Sequence, residues 1–68
     1  MSSMKPTILR AKRLDRGMTL QQAAQQFGIN SATLSRIERG QYTPSPRLAV
    51  RIGKLYGLDL NTIYAHIR

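Results

Sequence analysis

Residues 28–40 read GINSATLSRIERG, and this stretch gathers most of the chain's recognition chemistry. Ser31 and Thr33 bring hydroxyls, Ala32 a small methyl, Asn30 a carboxamide and Arg36 a guanidinium. On a helix, Ser31, Ala32, Thr33 and Arg36 share an N-terminal face turned away from Leu34 and Ile37. A helix that only had to stay in water would more often carry Glu and Lys there. Such a face suits hydrogen bonding and close approach to a partner, not bond making. Elsewhere the means for catalysis are sparse. The chain has no Cys, so neither a disulfide nor thiolate chemistry is available. Its one His, His66, has no evident acid–base partner and is assigned no chemistry. With few carboxylates, a metal site is not expected, and no Gly-rich phosphate cradle follows a strand. The reading is a protein that is not an enzyme and needs no cofactor.

Charge points to the kind of partner. Eleven Lys and Arg stand against 3 Asp and Glu, a net charge of +8 in 68 residues. A compact surface with that balance attracts a polyanion, most often nucleic acid, with an anionic membrane as the other candidate. No apolar run approaches the length of a spanning helix, and no apolar signal region follows Met1. The absence of Cys fits a reducing cytosol, so a cytoplasmic location is expected. The length allows at most one domain, near the lower limit for folding alone. Residues 1–5 (MSSMK) read as a flexible leader and residues 6–68 as the domain.

Five short helices must position the recognition face. Pro6 suits the first turn of a helix carrying Leu9, Arg13 and Leu14, which Gly17 stops. Thr19 caps a second helix, LQQAAQQF, with Gln22 completing a capping box and Gly28 ending it. Asn30 caps the third, which runs to Arg39 and stops at Gly40. After the loop QYTPSP, Ser45 caps a fourth helix with Pro46 at its first position, and Gly57 ends it. Asp59 caps a fifth holding Leu60, Ile63, Tyr64 and Ile67. No segment alternates with period two, so no strand is predicted and the fold class is all-α. The expected core is Leu9, Leu14, Met18, Ala24, Phe27, Leu34, Ile37, Ala49, Ile52, Tyr56, Leu58, Leu60 and Ile63. Gly53, inside the fourth helix, implies close approach by a neighbour that offsets the usual cost of glycine there.

A tight Gly-containing turn between the second and third helices makes a helix-turn-helix, a unit that can place its second helix in a DNA major groove. Ala24 is small where the helices cross, Gly28 makes the turn, and Leu34 and Ile37 anchor the third helix. At Leu20, Ala24, Gly28, Ile29, Leu34 and Ile37, the chain resembles the Cro and cI repressor family (the Xre-like group) in its framework positions. RIERG followed by Pro44 is similar to the family's glutamate–any–glycine ending and the proline after it. Arg13 matches the family's arginine that pairs with the glutamate, here Glu38. The resemblance covers roughly residues 9–64. It implies a compact five-helix domain of the lambda-repressor-like type, with Arg13 and Glu38 as a structural ion pair. Leu20 departs from the family, which has a phosphate-touching glutamine there. The resemblance carries that role to Gln21, next in sequence, against its place about 100° round the helix. Ala23 and Pro46 stand where larger aliphatics are common, with Leu14 and Leu48 as compensation.

The resemblance implies base reading by Ser31, Ala32, Thr33 and Arg36. Arg36 can place two parallel hydrogen bonds on guanine, while Ala32 and the Thr33 methyl can meet a thymine methyl. Backbone contacts fall to Gln21, Asn30, Arg39, Gln41, Tyr42, Thr43 and Arg10. For Asn30 the cap alone is a sufficient reading, and for Tyr42 packing on the fourth helix is the alternative. Arg47 and Arg51 read as general attractors. The implied function is a sequence-specific regulator of transcription, most simply a repressor, on double-stranded DNA. The implied assembly is a homodimer on a near-palindromic operator, formed in solution or only on DNA, with recognition helices about 34 Å apart. Leu58, Tyr64 and Ile67 are the candidate dimer surface. The host is expected to be a prokaryote or phage, with action on nucleoid DNA. A restriction controller or an antitoxin would use the same domain. The competing reading is a nonspecific basic protein for RNA, ribosome or membrane. The few aromatics argue against RNA stacking, and short helices that bury one another argue against a membrane surface.

Overall fold

A computed structural model describes residues 8–67, with side chains described for residues 8–65. Five helices occur among the described residues: α1 Ile8–Asp15, α2 Leu20–Phe27, α3 Ser31–Glu38, α4 Pro46–Tyr56 and α5 Leu60–Ile67. They hold no strand, and no helix is long and apolar enough to cross a membrane. The leader, Pro6 and the side chains of His66 and Ile67 lie outside the described residues.

Local chemistry sets each boundary. Thr19 and Gln22 form a reciprocal capping box at the start of α2, with bonds of 3.1 and 2.9 Å. Ser45 accepts from the Leu48 amide, and Pro46 fills the first position of α4. Asp59 accepts from the Thr62 amide at 2.8 Å, and that bond holds its carboxyl below the usual aspartate pKa. Four helices end alike. Met18, Ile29, Gln41 and Leu58 donate their amides to the carbonyls of Arg13, Ala24, Arg36 and Gly53, each just past a positive-φ glycine. The third helix accordingly stops at Glu38, with Arg39 as its C-cap.

The core comprises Leu9, Ala23, Ala24, Phe27, Leu34, Ile37, Ala49, Ile52, Tyr56 and Ile63. The expectation for Leu14 is corrected: it is 54% exposed. Leu9 and Arg13 lie one turn apart and define the inward face of α1. Leu14, about 100° further round, turns to solvent. Leu60 is also exposed, at 40%. It stands at the first turn of α5, on the rim of a shallow groove shared with Val50, Lys54 and Leu58. Met18 and Leu58 are only partly buried, as is Ile29. All three follow a helix-ending glycine and fold over the core from outside, as the residue after such a turn commonly does. Ala23 is fully buried, unlike the expectation, so its small size lets α2 sit close. Leu48 packs against the core, partly buried, and Leu14 does not. Gly53 is explained by close approach, most tightly of the turn before α5. A Cβ there would meet the Leu58 carbonyl oxygen at 2.5 Å, with Ile63 Cδ1 of α5 at 3.5 Å.

One polar pair lies within this apolar core. Arg13 and Glu38 are 7% and 5% exposed and form two parallel bonds: Nε to Oε2 at 2.8 Å and Nη2 to Oε1 at 3.1 Å. Nη1 donates to the Met18 carbonyl at 3.0 Å. One guanidinium therefore ties α1, the α1–α2 turn and the end of α3. The bond to Glu38 raises the already high Arg13 pKa further, so the cation is permanent. Nearby, Phe27 meets Tyr56 edge-on at 5.5 Å, and the Arg16 guanidinium covers the Tyr56 ring at 5.5 Å. The buried Tyr56 hydroxyl has no hydrogen-bond partner among the described residues. Burial, reinforced by the Glu38 carboxylate, pushes its pKa up to about 12.

Two predictions follow from this core. Removing one partner of a buried ion pair strands the other, so Glu38→Ala should cost about 3–5 kcal/mol, comparable with the whole stability of a small domain. Arg13→Met combined with Glu38→Leu should recover most of that loss. Urea denaturation checks both, and an unchanged midpoint for Glu38→Ala would refute the role of the pair. An unsatisfied buried hydroxyl costs free energy, so Tyr56→Phe should stabilise by about 1 kcal/mol. Because folding raises the Tyr56 pKa from 10.0 to about 12, its contribution is complete below pH 10 and is lost as pH rises toward 12. Midpoints for wild type and Tyr56→Phe at pH 8 and pH 11 should differ less in the variant.

Candidate nucleic-acid interface

The recognition face is built on α3. Its buried side is Leu34, Ile37 and Glu38, spaced by three and four residues, and all three are inaccessible or nearly so. That spacing leaves Ala32 and Arg36, one turn apart, at the centre of the outward side, and both are exposed. Ser31 and Thr33 flank them and are half-buried. Ser35, not singled out in the sequence, lies on the same outward arc and is also half-buried. The four residues expected to act together thus share one face, graded from an exposed centre to half-buried flanks.

Asn30 starts the helix in extended conformation, and its Oδ1 accepts from the Thr33 amide at 2.7 Å. The cap reading is therefore satisfied. The other amides of the first turn have no intrahelical acceptor and carry the positive end of the helix dipole. Asn30 itself is exposed, so its amino group faces outward chemistry as well.

The loop after α3 is shaped by its own backbone. The Gln41 amide returns to the Arg36 carbonyl at 2.8 Å, and Gly40, at φ +75°, returns to Ile37 at 3.0 Å. The Arg39 side chain folds back on its own helix, Nε donating to the Ser35 carbonyl at 3.3 Å. Gln41, Tyr42 and Thr43 are exposed, and Tyr42, at 46%, is not packed away against α4. Pro44 is buried, and its carbonyl accepts from the Tyr64 hydroxyl at 3.3 Å, which anchors the loop to α5. Tyr64 thus uses its hydroxyl within the protomer.

The remaining expected backbone residues sit on other elements. Gln21 is exposed in the first turn of α2. Leu20 is partly buried against the core, which explains an apolar residue at that position. Arg10 is exposed on α1. Arg51, read as a general attractor, is exposed and also makes a structural contact. Its Nη1 donates to the Phe27 carbonyl at 3.3 Å, across 24 positions of sequence, at the turn between α2 and α3. No local pattern signals this bond, because its two ends lie on helices brought together only by packing.

The helix-turn-helix family profile matches residues 9–63, from the first buried residue of α1 to the last of α5. An uncharacterized HTH-type transcriptional regulator of Methanocaldococcus jannaschii is 33% identical over 49 residues, covering 72% of this chain and 74% of the relative. One from Methanothermobacter thermautotrophicus is 35% identical over 53 residues, covering 78% and 77%. The ImmF control region 10 kDa protein of Bacillus phage phi105 is 34% identical over 56 residues, covering 82% of this chain and 62% of that protein. No solved structure matches significantly. With α2, the Gly28 turn and α3 forming the motif and Arg13–Glu38 locking it to α1, the chain belongs to the Cro/cI (Xre-like) helix-turn-helix family of DNA-binding transcriptional regulators.

Proposed function

We propose that this protein is a cytoplasmic, sequence-specific repressor that binds a near-palindromic operator as a two-fold dimer. Residues 6–68 form the DNA-binding domain. Arg36 reads a guanine, Ala32 and Thr33 approach a thymine methyl, and Ser31 bonds a base edge or a phosphate. Asn30, Gln21, Arg10, Arg39, Gln41, Tyr42 and Thr43 fix register on the sugar–phosphate backbone. No cofactor takes part. The observation that carries this reading is the division of α3, whose inward side is buried around an ion pair while small residues and one arginine occupy its outward side. The charge of +8 supplies attraction to phosphate that is independent of sequence. A dimer follows from reach: the eight residues of α3 span about 12 Å, enough for one half-site. Repression then needs only that the operator overlap a promoter.

Selection from a random duplex pool tests the reading. A specific regulator should enrich a near-palindrome and prefer it over random duplex by at least about 10³-fold. A pool with no enriched sequence, and binding that follows salt alone, would sink the proposal in favour of nonspecific binding. Sedimentation of the complex should show two protomers per operator. Within the site, Arg36→Ala should cost about 1–3 kcal/mol and relax preference at one base pair in each half-site. Arg47→Ala should weaken all duplexes alike. Isotherms on single-base operator variants separate the two, and the opposite pattern would exchange their roles.

A further inference from the structure

We propose that Arg51 is a positioning residue for the recognition helix, setting the junction of α2 and α3 without touching DNA. The end of α2 creates the need. The last carbonyls of a helix lack intrahelical donors and carry its negative dipole end. The amides of Gly28 and Ile29 turn back to Gln25 and Ala24, which leaves the Phe27 carbonyl to a donor from outside the helix. The last turn of α2 has no basic residue. The cation comes instead from α4: Arg51 Nη1 lies 3.3 Å from the Phe27 oxygen.

The guanidinium also lies over the turn itself. Gly28 has φ +74°, and a Cβ built on it would meet Arg51 Nη1 at 3.1 Å. Gly28 is constrained by its conformation, which favours glycine, and the arginine tip lies directly beside it. Two residues beyond Gly28, Asn30 caps α3, so any loosening at Phe27 passes directly into the direction of the recognition face. A guanidinium suits this role because it is always charged and its planar fork holds a carbonyl with little loss of freedom.

This inference rests on the DNA-binding reading for its consequence, but its structural half can be tested without DNA. Three forms of the full chain are compared: wild type, Arg51→Met and Arg51→Lys. Without DNA, amide exchange at Gly28 and Ile29 should quicken about 10-fold in Arg51→Met, as expected for a lost charge-assisted bond, while Leu34 and Ile52 keep their wild-type rates. Uniform quickening, or none, would overturn the assignment. On DNA, below the melting transition, Arg51→Met should lose about 10-fold in preference for the selected operator over random duplex. Its dependence of log affinity on log salt should equal that of wild type. Arg51→Lys keeps a donor for Phe27 and should stay within about 3-fold of wild type. If Arg51→Met weakens both duplexes equally and its salt slope falls by about one, Arg51 is a phosphate clamp and the proposal fails. If wild type itself shows no preference for any duplex, the DNA reading fails, and the exchange rates alone decide whether Arg51 holds the turn.

Discussion

The bidentate bond between Arg13 and Glu38 is the constraint on which the arrangement of this small domain depends. A carboxylate 5% exposed at the end of α3 requires a cation, and the one it has comes from α1, 25 residues earlier. A third bond from the same guanidinium holds the Met18 carbonyl and so fixes the turn into α2. The three helices that present and support the recognition face are therefore linked at one point. Apolar packing alone permits small slides, since dispersion has little directional preference. Two parallel hydrogen bonds with fixed geometry do not. A buried ion pair need not add net stability over an apolar pair, but disrupting it is costly, so the register it selects is held firmly.

Around that point, the core is made of a few small and branched side chains. Ala23 and Ala24 bring α2 close to its neighbours, and Gly53 admits the Leu58 carbonyl where a methyl would collide. The edge-on pair of Phe27 and Tyr56 supplies the largest apolar surfaces, with Arg16 covering the outer ring. Recurrent glycine-centred endings then fold Met18, Ile29 and Leu58 over the core as lids. Short helices are marginal alone, and here their stability comes from caps and from one another. The outcome is a platform whose outward side on α3 carries small residues and one arginine and no acidic group, a shape suited to close approach by a charged groove.

Much of this was legible along the chain because the signals are local. Thr19 with Gln22, Ser45 with Pro46, and Asp59 each mark a helix start by chemistry acting within three or four residues. The alternation of buried Leu34 and Ile37 with exposed Ala32 and Arg36 follows from helical period alone. Where the reading went astray, the deciding neighbour was distant. Leu14 looked like core because it is apolar, yet the inward position on α1 belongs to Arg13, whose partner is on α3. Leu60 lies at the rim of a groove whose other side, Val50 and Lys54, comes from α4.

The sequence by itself determined the number of helices, their caps and stops, the family, and the outward chemistry of α3. All but the family follow from short-range geometry, and the family follows from a motif of residues at fixed spacing along the chain. Packing of the helices set that Arg51 meets the Phe27 carbonyl at 3.3 Å, that Tyr64 anchors the loop through Pro44, and that the buried Tyr56 hydroxyl has no partner among the described residues. For the two bonds the reason is the same. A hydrogen bond between residues 20 or more positions apart depends on how whole helices pack, and charge or polarity at either end does not reveal which partner lies opposite.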